Sequence, residues 1–369
     1  MTGVVTWEQK SVDGRARTGC IRTSHGPVKT PGFMPVGTRA TVKTIDSEDL
    51  LKVGAKIVLA NTYHLIQRPG SEVIAALGGL HRFMSWERPI LTDSGGYQVL
   101  SLKPKVTEDG VVFRSSYDGS RVEMTPESAI ASQEKLGPDI AMALDEVIGL
   151  PAPVDNVRAA MERTLRWAKR TQHARRREDQ GVFGIVQGGV TPDLRARSAA
   201  ETAKIGFEGY GIGGLAVGEA LPDRSIAIDA AFGELPESAT RYVMGLGDTE
   251  GLLDAISRGA DLFDCVLPTR LARHGKALHP DGDFSMKRRE WATVEEPIDV
   301  NCQCLTCANH SRGYLRHLVV TRESLASRLL TIHNLHYTLD LLANARQAID
   351  SATFAEFRTK RLARRTQAE

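Results

Sequence analysis

VFGIVQGGVTPDLRARSAAETAKIGFEGYGIGGLAVGE (182–219) decides the fold. The apolar run VFGIV ends in a polar residue and two glycines. A helix-like stretch, TPDLRARSAAETAKIG (191–206), follows it, and YGIGGLAVGE (210–219) repeats the opening pattern. A strand, a helix and a second strand at this spacing argue for parallel pairing across a helical crossover.

Working outward, the same pattern recurs. KIVLANTYH (56–64), RPILTDSGG (88–96), DIAMALDE (139–146), YVMGLGD (242–248) and ADLFDCVLPTR (260–270) each read as a short apolar run closed by Gly or a polar or acidic residue. The segments between look helical. NVRAAMERTLRWAKRTQHARRRED (156–179) sets Val157, Met161, Leu165 and Ala168 at spacings of four, four and three, and its other positions carry eight Lys or Arg. DTEGLLDAISRGA (248–260) is a further helical stretch. Seven such strands in 369 residues favour an α/β fold of the (β/α)8 TIM type over two smaller sheets. In such barrels the chemistry sits at the carboxyl ends of the strands. Asp93, Asp145, Gln187, Gly214 and Asp264 fall there.

The alternation breaks between about 280 and 318 in a charged segment that holds a cysteine cluster. TRESLASRLLTIHNLHYTLDLLANARQAID (321–350) then reads as a long amphipathic helix, and RTKRLARR (358–365) is strongly basic. The expected organisation is a barrel over 1–280, a cysteine-bearing subdomain with the long helix over 281–350, and a basic C-terminal helix over 351–369 that completes the barrel.

Composition excludes several classes. Apolar residues make up 41% and charged residues 25%, so the chain is neither disordered nor fibrous. Lys+Arg at 47 against Asp+Glu at 45 rules out a uniformly basic binder but leaves room for a local basic face. No run approaches the ~18 apolar residues of a membrane helix. The opening MTGVVTWEQK lacks the apolar core of a secretory signal, so the expected location is the cytoplasm.

Five cysteines, Cys20, Cys265, Cys302, Cys304 and Cys307, are too few for a disulfide framework. Cys302, Cys304 and Cys307 place three soft ligands on one short loop, which wraps a tetrahedral zinc better than it suits three unrelated thiols. A fourth ligand is needed. His310, His317, His333 and His336 are candidates, whereas the distant Cys20 and Cys265 are poor ones. His336 lies on the apolar stripe Leu325, Leu329, Ile332, Leu339, and His333 is one position off it. A closed site of three Cys and one His is structural, with no open position for a substrate.

Asp93 opens DSGGYQ, where Ser94, Gly95 and Gly96 let backbone approach a ligand closely. Taken alone, a helix cap by Asp93 or Ser94 explains the pattern as well. Asp264, between Phe263 and Cys265, is costly to bury unless it is used or is paired with a partner such as Arg270. Asp145 and Gln187 suit the amide and amino edge of a purine, and Gly213-Gly214-Leu215 offer backbone groups to the same ligand. Tyr97 and Met244 could sandwich a ring. Basic residues gather on the 158–177 helix, at Arg270 and Arg273, and in the C-terminal run. The pair at 270 and 273 is best placed to meet a polyanion across the barrel mouth.

Taken together, LTDSGGYQV, ALDE, GIVQGG, GIGGLAVGE, YVMGLGD, ADLFDCVLPTR and CxCxxC followed by TIHN resemble the queuine tRNA-ribosyltransferase family, the bacterial tRNA-guanine transglycosylases. They occur in the family's order, and the resemblance runs from KTPGFMPVGT (29–38) to the helix after the cysteines. It implies a (β/α) barrel with a zinc-binding insert. The implied reaction swaps the wobble guanine of tRNAs with a G-U-N anticodon for 7-aminomethyl-7-deazaguanine. The resemblance assigns Asp264 as nucleophile and Asp93 as general acid/base. Ser94, Gly95, Gly96, Asp145, Gln187, Gly214 and the Leu215 backbone become substrate-binding positions, with Tyr97 and Met244 as the stacking pair. Cys302, Cys304, Cys307 and His333 become the ligands of one structural zinc per chain. Gly245, Leu246, Gly247, Asp248, Thr249, Glu250 and Gly251, with Thr269, Arg270, Leu271, Ala272 and Arg273, become RNA contacts. A homodimer is implied, with Tyr314 and His317 near the contact.

The chemistry agrees with those roles. A carboxylate that attacks the anomeric carbon can hold the ribose while bases exchange, and a second carboxylate moves the proton. The guanine must leave the stack to reach a pocket. Two positions bear on the incoming base. Val147 stands where the bacterial pattern has cysteine and resembles the eukaryotic enzymes that insert queuine, whereas Val217 matches the bacterial pattern. The chain as a whole favours 7-aminomethyl-7-deazaguanine, with queuine the alternative. A non-catalytic RNA-binding barrel is disfavoured because both Asp264 and Asp93 are present. A sugar hydrolase would have no use for a purine-reading set.

Overall fold

Among the described residues, eight strands pair side by side, all parallel, and the ring closes. In chain order they are Gly32–Gly37, Val58–Ala60, Ile90–Thr92, Ile140–Met142, Gly181–Val186, Gly209–Ile212, Thr240–Val243 and Leu262–Cys265. Closure is made by Leu262 opposite Gly32 and continues to Cys265 opposite Pro35. The computed structural model describes residues 5–102, 104–215 and 218–366, and Val217 lies outside them. The expected (β/α)8 barrel is therefore the fold. The strand missing from the sequence reading is the first, GFMPVG, whose Gly and Pro disguise a fully buried run.

The two-residue period of a strand sorts each one into an inner and an outer face. Met34, Val36, Leu59, Leu91, Ile140, Met142, Phe183, Ile185, Tyr242 and Leu262 fill the lumen as one cluster. Their sequence neighbours Phe33, Val58, Ile90, Val186, Val243 and Phe263 join the layer under the surrounding helices. Burial on both faces is why these strands read as continuous apolar runs.

An antiparallel sheet of Thr6–Asp13, Ala16–Thr23 and Gly26–Thr30 precedes the barrel. Its Trp7, Ile21 and Val28 join the lumen cluster and close the barrel floor. A second antiparallel sheet, Lys105–Val106, Val111–Arg114 and Arg121–Met124, lies between the third strand and the helix Pro126–Leu136. That helix starts on a reciprocal cap between Thr125 and Ser128. After the eighth strand come the short helix Leu267–Arg273, the helices Leu305–Asn309 and Arg312–Val320, and the long helix Ser324–Asp350. The long helix packs on Leu267–Arg273, the first barrel strand and the N-terminal sheet, and the basic C-terminal helix Phe354–Thr366 packs outside it. Among the described residues no helix is long and apolar enough to cross a membrane.

Candidate active site at the barrel mouth

The inner face continues past the last lumen residue of each strand. Two residues beyond Leu91, Ile185, Tyr242 and Leu262 stand Asp93, Gln187, Met244 and Asp264. Strand geometry alone therefore points these four side chains toward the barrel axis at its carboxyl-terminal rim.

Asp93 is held by three neutral donors. Asn61 Nδ2 donates to its Oδ2 at 2.6 Å, and the amides of Thr62 and Gly95 donate to its Oδ1 at 2.9 and 3.1 Å. No cation joins them among the described residues. Burial pushes the carboxyl up to about 7, the Asp264 and Asp145 carboxylates add to the rise, and the two amides hold it back.

Asp264 differs. Its Oδ1 accepts from the Tyr242 hydroxyl at 2.6 Å and from the Gly245 amide at 2.8 Å, while its Oδ2 accepts from no described residue. The expected alternative, a pairing with Arg270, is absent. Burial raises its pKa, and the Tyr242 and Gly245 donors oppose that rise. The Tyr242 phenol stays protonated because burial and the adjacent carboxylate lift its pKa well above the ordinary value.

Asp145 and Gln187 face each other, with Gln187 Nε2 donating to Asp145 Oδ2 at 2.6 Å. Ser94 Oγ donates to Asp145 Oδ1 at 3.0 Å. Burial pushes Asp145 up to about 6. The glycines beside this pair are required by space. A Cβ on Gly96 would lie 2.7 Å from Asp145 Oδ1, and one on Gly214, whose φ is +65°, would lie 2.5 Å from Gln187 Oε1. Leu215 is buried next to them, and so is Val147.

Tyr97 is 59% exposed, which removes ordinary core packing as its explanation. Met244 is partly buried and packs on the lumen cluster. The segment 245–251 leaves the seventh strand beside Asp264, and Asp248 caps the helix Thr249–Ser257 through the Gly251 amide. Residues 269–273 lie on Leu267–Arg273, where Arg270 is exposed. The arginines of the helix Val154–Ala174 are occupied, Arg163 and Arg166 by Glu108 and Arg170 by Glu127. That helix is an ion-paired surface.

At the other end of the chain, Cys302, Cys304, Cys307 and His333 converge with all four ligand atoms within 4.8 Å of one another, so the cluster could hold a metal ion. The sulfur atoms stand 3.7, 3.7 and 3.3 Å from His333 Nδ1. A tetrahedral zinc with bonds of about 2.3 Å to sulfur and ~2.0 Å to nitrogen has edges of roughly that length. His333 Nε2 lies 2.9 Å from the Leu278 carbonyl, which fixes the tautomer and leaves Nδ1 for a metal. Of the other histidines, His310 stacks on Tyr314 and His317 is exposed, while His336 reaches Cys302 from the long helix but lies outside the four-residue cluster. The two remaining cysteines lie apart from the cluster, and burial lifts Cys265 to about 12.

With this geometry in place, similarity to known proteins is decisive. A model of the family described as queuine tRNA-ribosyltransferase matches residues 13–367. A queuine tRNA-ribosyltransferase of Desulforamulus reducens is 49% identical over 353 residues, covering 95% of each chain. One of Moorella thermoacetica is 50% identical over 343 residues, covering 92% of each chain. The chain belongs to the queuine tRNA-ribosyltransferase family. It is thus a tRNA-guanine transglycosylase, a pentosyltransferase, and its substrates are a tRNA and a base.

For a tRNA-guanine transglycosylase, the sequence reading left out the residues that hold the carboxylates. Tyr242, Asn61 and Thr62 each contact a mouth aspartate directly, yet none carries a charge, and within YVMGLGD and KIVLANTYH they were given no role. The only available signal was their place at or beside strand ends.

Proposed function

We propose that this enzyme exchanges the wobble guanine of G-U-N anticodon tRNAs for 7-aminomethyl-7-deazaguanine by double displacement. The observation that carries the reading is the bare Oδ2 of Asp264. Of the three mouth aspartates, only Asp264 keeps one oxygen without a described donor while the other is anchored. An anchored carboxylate with one open oxygen suits in-line attack on an anomeric carbon.

In the first displacement, Asp264 Oδ2 attacks C1′ of the flipped nucleotide and the bond from C1′ to the guanine N9 breaks. The guanine takes the proton of Asp93, whose pKa of about 7 makes both protonation states accessible at neutral pH. In the second, the incoming base gives its N9 proton to Asp93 and attacks C1′, and the ribosyl ester to Asp264 breaks. Two inversions retain configuration. Asp145, Gln187, the Gly214 amide and the Leu215 backbone read the purine, with Ser94, Gly95 and Gly96 shaping its seat. Tyr97 and Met244 stack on the ring. Asp145 and Gln187 bond to each other before the base arrives, so entry of the base exchanges that bond for bonds to its edge.

The stretches 245–251 and 269–273 contact the RNA. Cys302, Cys304, Cys307 and His333 would hold one structural zinc per chain, which would tether the loop at 302–307 to the long helix. We place the barrel within 1–280, the zinc unit within 281–350 and the basic helix within 351–369. The working form is a homodimer in the cytoplasm, with Tyr314 and His317 near its contact.

A base-exchange assay tests the reading. tRNA carrying labelled guanine at the wobble position is chased separately with 7-aminomethyl-7-deazaguanine and with queuine. Release by the first alone is expected. Efficient release by queuine would make Val147 the mark of a salvage enzyme. No release by either would remove the proposal.

A further inference from the structure

Arg195, on the helix Pro192–Ile205, is fully buried behind the base-reading loops. Its guanidinium points three donors at main-chain oxygens. Nε bonds the Gly189 carbonyl at 2.6 Å, Nη1 the Val186 carbonyl at 2.7 Å, and Nη2 the Gly213 carbonyl at 2.8 Å. Val186 and Gly189 bracket Gln187, and Gly213 precedes Gly214. One side chain therefore ties together the two loops that carry the purine-reading set. Burial lowers its pKa to about 9, which leaves it charged at neutral pH, with the Glu219 carboxylate in support.

The Gly213 contact has a directional consequence. In a trans peptide the carbonyl and the following N–H point in opposite directions. With the Gly213 oxygen held on Arg195, the Gly214 N–H faces the other way. Gln187 and Asp145 crowd this glycine pair: a Cβ on Gly213 would lie 2.7 Å from Gln187 Nε2 and 3.4 Å from Asp145 Oδ2, and one on Gly214 2.5 Å from Gln187 Oε1. The Gly214 N–H donates to no described residue, while the Gly213 N–H is used on the Val186 carbonyl at 3.1 Å. A donor left open beside two purine-reading side chains is a donor kept for the ligand.

We propose that Arg195 is a positioning residue that locks the Gly213–Gly214 peptide with its N–H presented to the carbonyl oxygen of the purine. It does not touch the base and acts through the backbone. Lysine keeps the charge but lacks the planar fork that reaches three carbonyls at once. The inference rests on the guanine-exchanging function proposed above.

The test compares guanine with 6-thioguanine, which replaces only that carbonyl oxygen by sulfur, a weaker acceptor. Dissociation constants are measured for the wild type and for Arg195→Lys, alongside guanine exchange into tRNA by the wild type. The wild type is expected to prefer guanine about tenfold, near the upper end for one buried hydrogen bond. Arg195→Lys should prefer it less than threefold, with 6-thioguanine affinity nearly unchanged. Equal losses for both bases would mean that Arg195 only supports packing, and would overturn the assignment. A wild type that exchanges guanine but shows no preference would overturn it alone, whereas a wild type that neither binds nor exchanges guanine would overturn the function as well. If Arg195→Lys does not fold, a crystal structure of the wild type with guanine decides. The Gly214 nitrogen within about 3.2 Å of the base oxygen, with Gly213 still on Arg195, supports the assignment. A peptide turned the other way removes it.

Discussion

Two strands of the barrel carry aspartates at or near both ends, and the two ends are treated in opposite ways. Asp261 precedes Leu262–Cys265 at the floor, and Asp264 stands on the same strand at the mouth. Asp261 is clasped by Arg17 through Nε at 3.1 Å and Nη2 at 2.5 Å. Asp264 receives a phenol and an amide. Likewise Asp139, before Ile140–Met142, accepts from His25 Nδ1 at 2.9 Å and His81 Nε2 at 3.1 Å, whereas Asp145 beyond that strand accepts from the neutral side chains of Ser94 and Gln187. At the floor, buried acids meet groups that carry or can take positive charge, and they pin the N-terminal sheet and a helix to the barrel. At the mouth, among the described residues, burial is opposed by neutral dipoles, as the proposed proton transfer and attack require. The contrast separates stability from chemistry on one scaffold.

The largest effect that can break this contrast is on activity. Asp264→Asn should lower base exchange at least about a thousandfold and abolish the covalent protein–tRNA band on a denaturing gel, with Tm unchanged or raised. Asp261→Asn should do the reverse, costing about 3–5 kcal/mol because Arg17 is left buried without its partner. A thermal melt of both proteins decides. If Asp264→Asn unfolds the chain while Asp261→Asn does not, the two ends have been read the wrong way round.

The metal site offers the next largest effect. Cys304→Ala should bring bound zinc below one per chain and lower Tm, since ligand loss removes binding free energy that contributes to folding. Metal content that stays at one per chain would show the ligand set to be different.

The pH dependence of stability sharpens the contrast further. Burial raises the folded pKa of Asp93 to about 7, above its unfolded value of about 3.9, so the folded state binds more protons between those values. Its contribution to stability therefore declines as pH rises through that window. Asp93→Asn should raise Tm by a few degrees at pH 8 and hardly at all at pH 4. Asp139 behaves oppositely. His81, the Ile90 amide and His25 overcome its burial and hold its pKa well below the usual carboxylate range. Its stabilisation is present above the unfolded pKa and is lost as pH falls toward the folded one. Asp139→Asn should destabilise at pH 7, and the penalty should shrink toward pH 3. Equal pH profiles for the two variants would erase the distinction.

The mouth was legible in the sequence because strand ends and lumen layers share one period. Once Leu91, Ile185 and Leu262 read as buried, Asp93, Gln187 and Asp264 follow at the next inward step. The floor was not legible. Arg17 and His25 lie 244 and 114 residues from the acids they bind, and neither forms a local pattern. The same limit hid the first barrel strand, whose Gly32 and Pro35 lack strand propensity and are held by pairing to Leu262 and Cys265. On spacing alone it also left the fourth metal ligand open among four histidines, and only the family resemblance pointed to His333. In the structure His333 is oriented by the Leu278 carbonyl behind its ring, a contact across 55 residues.

Charge on the outer surface sets the smallest effect. The basic helix Val154–Ala174 and the arginine at 270 look alike in sequence, yet Arg166 is held by Glu108 while Arg270 forms no ion pair among the described residues. A paired guanidinium has already given up its counterions to protein and releases few on meeting RNA. An unpaired one exchanges its counterions directly for phosphate. Arg270→Ala should therefore weaken tRNA binding and reduce the slope of log affinity against log salt by about one. Arg166→Ala should leave the slope unchanged and shift stability by no more than about 0.5 kcal/mol, as expected of an exposed pair. Filter binding across a salt series reads both. Equal slope changes would place the basic helix in the RNA interface, and the pairing with Glu108 would then have to open when tRNA binds.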